Sequence, residues 1–162
     1  MIRHRGILML VVILAACACR AKAPAYEGKT VAELEKMLRS SDPLAQAQGA
    51  FGLSLLGPEA REAVPALIEA LKNPGPAVRQ VAALALSRIG PEAREAVPAL
   101  TEALRDSEWP VRREAALALG EIGPGAHSAI GPLQELRQDS DPLVRRAAEE
   151  ALAKIRNTSR DR

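Results

Sequence analysis

Few side chains here could attack, ligate or shuttle protons: two cysteines, Cys17 and Cys19, and two histidines, His4 and His127. Three of these four sit in the first nineteen residues, which leaves His127 alone in the body of the chain. A zinc site needs several convergent Cys or His ligands, and a nucleophilic hydrolase needs a base beside its nucleophile and an acid behind the base. Neither set surrounds His127, which reads as a solvated loop residue, and no glycine-rich phosphate loop occurs. Glu62 and Glu95 recur at equivalent positions and read as solvated helix faces. No catalytic residue, metal or cofactor is assigned, and the chain reads as a non-enzyme.

The elements that would carry any function are set by a repeat. GPEAREAVPAL at Gly57–Leu67 recurs unchanged at Gly90–Leu100, a displacement of 33 residues. A period of that length marks a stack of helix pairs. The folded part opens at Thr30, which with Glu33 forms a capping-box pattern, and divides into units 30–62, 63–95, 96–128 and 129–156. Each first helix carries an aliphatic residue (Val31, Val64, Val97, Ile130) and a leucine three positions on (Leu34, Leu67, Leu100, Leu133). Pro65 and Pro98 fall in the first turn, where a missing N–H costs little. Polar turns follow, and then a second helix with its stripe at i, i+4, i+7, i+8 and i+11, as in Val78, Ala82, Ala85, Leu86 and Ile89. The first unit has Gly49 and Gly52 in this stripe, at a cost of roughly 1 kcal/mol each against alanine, so its second helix is expected to be the least stable. Gly57, Gly90 and Gly123 are expected to end the second helices in the left-handed conformation. With only Tyr26, Phe51 and Trp109 as aromatics, packing falls to alanine and leucine. The expected fold is all-α, a right-handed α-solenoid of about four stacked helix pairs.

Segments such as DSEWPVRREAALALGEIG and DSDPLVRRAAEEALAKI resemble HEAT repeats of the short, alanine-rich bacterial type, also called phycobilin-lyase-like HEAT repeats. The resemblance covers about residues 30–156 and is loosest in the first unit, where Gln46 stands in place of Arg79, Arg112 and Arg145. It implies that these arginines and the turn acids Asp106 and Asp139 form a ladder between neighbouring units. The other reading is a row of solvated arginines. The iron-holding HEAT-like hydroxylases use paired His-Glu motifs, which His127-Ser128 does not match. Glu149 and Glu150, where earlier units have Ala-Leu, fit a polar cap on the last unit, and 157–162 reads as a disordered tail.

The N-terminus gives an address. Arg3 and Arg5 precede an apolar run from Ile7 to Leu14, too short to be a permanent span, and small residues follow. Leu14-Ala15-Ala16-Cys17 resembles a bacterial lipobox, which implies a signal peptide over 1–16, cleavage before Cys17 and a lipid on its thiol. The alternatives are an ordinary secretory signal cleaved after Ala18 or Ala21, or lipidation at Cys19, which fits the pattern less well. Ala18, not aspartate, follows the cysteine, so the resemblance favours the outer membrane facing the periplasm. Residues 17–29 then form a lipidated N-terminus and flexible tether with Tyr26 as an idle linker residue, contact with the first repeat or the membrane interface being the other reading. Removing Arg3 and Arg5 turns 22 basic against 20 acidic residues into 20 against 20, which leaves no electrostatic footprint for nucleic acid.

What remains is surface. Phe51, Leu84 and Leu117 recur in register on the second helices, with Gln80 and Arg113 nearby. In HEAT folds, the resemblance implies, this side is concave, and the column would dock a partner segment; the alternative is that it packs between adjacent units. Trp109 replaces the proline of the equivalent turns, and either binds a partner or covers its own repeat. The expected function is a lipid-anchored scaffold for a protein partner in the cell envelope. Two alternatives stand beside it: a phycobilin-lyase-like, tetrapyrrole-handling accessory protein, and a purely structural envelope lipoprotein.

Overall fold

The computed structural model describes residues 24–157. Cys17, Cys19, the expected signal peptide and residues 158–162 lie outside the described residues. The described chain forms four helix pairs: α1 (Val31–Leu38) with α2 (Pro43–Leu56), α3 (Val64–Ala70) with α4 (Pro76–Ile89), α5 (Val97–Ala103) with α6 (Trp109–Ile122), and α7 (Ile130–Leu136) with α8 (Pro142–Asn157). No strand occurs among the described residues, and the architecture is an α-solenoid. α8 includes Asn157, one residue beyond the expected end of the repeats.

Each helix starts for a local reason. The Thr30 hydroxyl accepts from the Glu33 N–H while the Glu33 carboxylate accepts from the Thr30 N–H, which closes both ends of a capping box on α1. Asp42 caps α2 through the Leu44 and Ala45 N–H groups, and Asp141 caps α8 through Leu143 and Val144. The seven-residue stretches Gly57–Ala63, Gly90–Ala96 and Gly123–Ala129 are 3-10 helices leading straight into the next first helix. Their small residues Ala60, Ala63, Ala93 and Ala96 are fully buried, so these tight turns are part of the core.

Gly57, Gly90 and Gly123 have φ of 58°, 75° and 70°, with ψ of −131°, −136° and −136°. This differs from the expected left-handed helical geometry, whose ψ is positive. It lies toward a region that essentially only glycine enters, so asparagine is no substitute.

The two layers pack unequally. α2, α4, α6 and α8 lie against one another along their length, whereas the first helices mainly touch their own partners and the neighbouring 3-10 segments. Alanine makes the close approach feasible: Ala82, Ala85, Ala115, Ala118 and Ala148 are wholly buried. A Cβ added to Gly120 would stand 2.9 Å from the Ala151 Cα. The second helices thus form one continuous, closely packed layer. Leu34, Leu67, Leu100 and Leu133, the leucines predicted from the first helices, are buried between the layers.

The first pair departs from the others. A Cβ on Gly49 would lie 2.6 Å from the Leu34 carbonyl oxygen and 2.7 Å from the Leu38 nitrogen, so the two glycines are what lets α1 settle close on α2. A Cβ on Gly52 would meet the Leu34 side chain first and then the Tyr26 Cβ at 2.9 Å, and the Tyr26 ring stands edge-on to Phe51 at a centroid distance of 5.2 Å. Residues 24–29 turn on themselves through Glu27 N–H to Pro24 and Lys29 N–H to Tyr26 carbonyl bonds, and Tyr26 is what meets the first pair. The idle-linker reading of Tyr26 is corrected: its Cβ lies over Gly52 and its half-buried ring packs on Phe51.

Candidate functional site

Two constellations carry the polar chemistry of the stack, one inside the seams between units and one along the face of the second helices. In the seams, the Arg79 Nε–H and Nη2–H donate to Asp106 at 2.7 and 2.9 Å, and Arg112 donates to Asp139 with the same two distances. The remaining Nη1 is tied to turn carbonyls of its own unit, Asn73 for Arg79 and Asp106 for Arg112. Each guanidinium thus closes its own turn and grips the next one. The side chains are only 15% and 10% exposed in the first pair and 14% and 9% in the second. Burial alone would raise the Asp106 carboxyl, but the Arg79 hydrogen bonds, the Glu108 N–H and the charges of Arg79 and Arg112 hold it below its ordinary value. For Asp139 the Arg112 hydrogen bonds dominate, outweighing burial with help from the Asp141 N–H.

The rungs at the two ends differ. Gln46 donates to the Ser40 carbonyl at 2.7 Å and accepts from Asn73 Nδ2 at 3.0 Å, which makes an uncharged rung with the same 27-residue spacing. Arg145 donates to the Asp139 and Ser140 carbonyls and, at the end of the described stack, has no acid opposite it among the described residues. Sequence comparison marked Gln46 as a departure without recognising that Asn73 changes with it.

Three hollows follow one another across the second helices. The first, of about 560 Å³, is lined by Phe51, Leu55, Leu84 and Arg88; the second, also about 560 Å³, by Leu84, Arg88, Arg113, Glu114, Leu117 and Glu150; the third, about 270 Å³, by Arg113, Leu117, Leu143 and Arg146. Shared residues join them into a groove. Phe51 is 36% exposed, with Tyr26 covering one edge, while Leu84 and Leu117 are half-buried and Leu117 also touches the core. The column therefore both lines the groove and packs between units. Gln80 lies one turn before Leu84 on α4 and is half-buried. Trp109 opens α6 as its first residue, 40% exposed, and does not line these hollows.

Glu114 is the groove residue that sequence reading passed over. It is 7% exposed, with Arg113 Nη1 at 3.4 Å as its ion-pair partner. Burial pushes its carboxyl up, and the charges of Arg113 and Arg88 offset this in part. Its signal was available: Gln48, Val81 and Ala147 hold the equivalent positions, so Glu114 is the one charge in that row. Glu121 and Glu150 are both held by Lys154 Nζ, at 2.7 and 2.8 Å. His127 is exposed in a 3-10 segment, and among the described residues no three His, Cys, Asp or Glu side chains converge on a metal position. No described helix is long and apolar enough to cross a membrane.

Comparison with solved structures returns other stacks of helix pairs. An engineered protein is 30% identical, with a TM-score of 0.68 over 78% of this chain and 64% of its own length. Human deoxyhypusine hydroxylase in complex with glycerol is 32% identical, with a TM-score of 0.62 over 81% of this chain and 45% of that one. The complex of CpcE and CpcF of phycocyanin lyase from Nostoc gives 24% identity and a TM-score of 0.57 over 84% and 69%, a likeness of fold alone. The chain thus spans less than two thirds of the engineered protein and under half of the hydroxylase. No curated protein matches it. The model of HEAT repeats matches residues 31–94 and again 91–153, which takes in all four helix pairs. This chain belongs to the HEAT-repeat family.

Proposed function

We propose that this protein is a lipid-anchored scaffold that holds an extended segment of a protein partner in the groove along its second helices. The observation that supports binding is the continuous run of Phe51, Leu84, Leu117 and Leu143 across three joined hollows, which leaves apolar surface accessible along the second helices. A repeat stack offers such a surface in regular steps and without moving parts. The anchor is Cys17, supported by the lipobox-like run before it, and it places the scaffold in the cell envelope, with the periplasmic side of the outer membrane favoured.

The test is crosslinked co-purification from envelopes, with wild type compared against Leu84→Glu plus Leu117→Glu after circular dichroism shows equal helicity. A partner recovered by wild type and lost by the folded variant supports the groove. Both leucines are half-buried, so the exposed pair Leu55→Glu plus Leu143→Glu gives a second readout if the first variant unfolds. An unchanged partner in either folded variant sinks the proposal. Cys17→Ser should move the protein from the membrane to the soluble fraction and abolish labelling by radioactive palmitate. The same purified protein, titrated with bilin or haem, addresses the tetrapyrrole-handling alternative through a new visible absorbance band.

A further inference from the structure

The groove has a charge pattern as well as an apolar one, and its charges are unevenly satisfied. Glu114 is paired with Arg113, and Glu121 and Glu150 both hold Lys154. Each groove carboxylate therefore already has a cation. Arg88 and Arg146 are exposed, line the hollows on either side of Leu117, and make no ion pair within 4 Å among the described residues, acting on Glu114 and Glu150 only through their charge from farther off. Arg113, 38% exposed in its side chain, keeps part of its donor fork clear of Glu114. The first hollow, at Phe51, Leu55 and Leu84, contains Arg88 and no carboxylate.

Resting on the groove reading above, we infer that the bound segment is acidic as well as apolar, its apolar side chains meeting Phe51, Leu84, Leu117 and Leu143 and its carboxylates meeting Arg88, Arg113 and Arg146. A lysine-rich segment would find its acids already occupied and would face these three guanidinium groups. The stack also sets a spacing. Packed helices lie about 8–10 Å apart, and an extended chain advances about 3.3 Å per residue, so a segment crossing the second helices meets a new unit about every third residue. The fitting pattern is one apolar residue in three with acids between.

The probes are three fluorescein-labelled peptides built on Leu-Glu-Ser, Leu-Gln-Ser and Leu-Lys-Ser repeats, titrated with the purified full chain and read by fluorescence anisotropy. The glutamate peptide should bind about tenfold more tightly than the glutamine one, about threefold for each of two exposed arginines, and the lysine peptide more weakly still. The advantage should shrink as salt is raised. Arg88→Glu plus Arg146→Glu, both at exposed positions, should reverse the order of the glutamate and lysine peptides. Equal binding of all three peptides, or preference for lysine by wild type, overturns the inference while leaving the groove in place. Binding of none removes the groove reading and this inference together. Two parallel measurements cover other occupants: arginine-dependent binding to phosphatidylglycerol vesicles without peptide selectivity would make a membrane the occupant. Arginine-dependent self-association in sedimentation would make it a second copy, and either result overturns the inference.

Discussion

Removing the Asp139 carboxylate, by Asp139→Ala, takes away both bonds from Arg112 and the acceptor of the Asp141 N–H in one step. It leaves a guanidinium whose side chain is 14% exposed without its counter-charge. Breaking a pair buried to this degree costs about 3 kcal/mol. Unfolding entropy of about 2.1 cal/mol/K per residue over about 130 folded residues gives about 0.27 kcal/mol/K, so the midpoint of thermal unfolding should fall by about 11 °C. The loss should also be local, because each unit of a solenoid touches only its neighbours. Hydrogen exchange should show protection lost first in α7 and α8 while α2 and α4 keep theirs. The assay is a double-mutant cycle of Arg112→Ala, Asp139→Ala and the pair, followed by thermal circular dichroism and exchange. If the coupling between the two sites is within about 0.3 kcal/mol of zero, the arginines are a solvated row and the ladder argument fails.

Acid should weaken the stack at the charged rungs. The folded-state carboxyls of Asp106 and Asp139 are depressed, so their contribution is present above the ordinary carboxyl range and disappears as pH falls through the depressed values. Chemical denaturation at pH 7 and about pH 3 should give a smaller difference in Asp106→Asn plus Asp139→Asn than in wild type; an equal difference would place the acid sensitivity elsewhere. Gly49→Ala, which by helix propensity alone should stabilise α2 by roughly 1 kcal/mol, is expected instead to destabilise by about 1–3 kcal/mol because its Cβ meets the Leu34 backbone. A raised melting temperature in that variant would show that α1 moves aside freely.

Much of the architecture could be read in the letters because a repeat averages out local ambiguity. The leucines at Leu34, Leu67, Leu100 and Leu133 are buried as their period required, and glycine stands at each helix end where φ is positive. What escaped reading depended on distances between elements. Gly49 and Gly52 look like weak points although α1 lies directly against them, and Tyr26 looks like linker although its Cβ lies over Gly52 and its ring meets Phe51. Nothing in the letters of GPEAREA announces a 3-10 helix, yet the stretch takes that form with its alanines Ala60 and Ala63 buried. Glu114 is a lone charge in a row of Gln48, Val81 and Ala147, which the letters display, but its burial between Arg113 and the neighbouring helices depends on how the units stack.

The unlike rungs bear on how such a chain can change length. Residues 57–67 and 90–100 are the same eleven letters, so excising 63–95 would splice Glu62 to Ala96 and restore an unaltered GPEAREAVPAL joint. At the level of the joint, the units are interchangeable parts. At the level of the rungs they are not: the shortened chain would set Gln46 against Asp106, a carboxylate deprived of Arg79, in place of the matched amide of Asn73. Amide with amide and guanidinium with carboxylate act as a two-letter key cut into each seam, and the key records which unit belongs next to which.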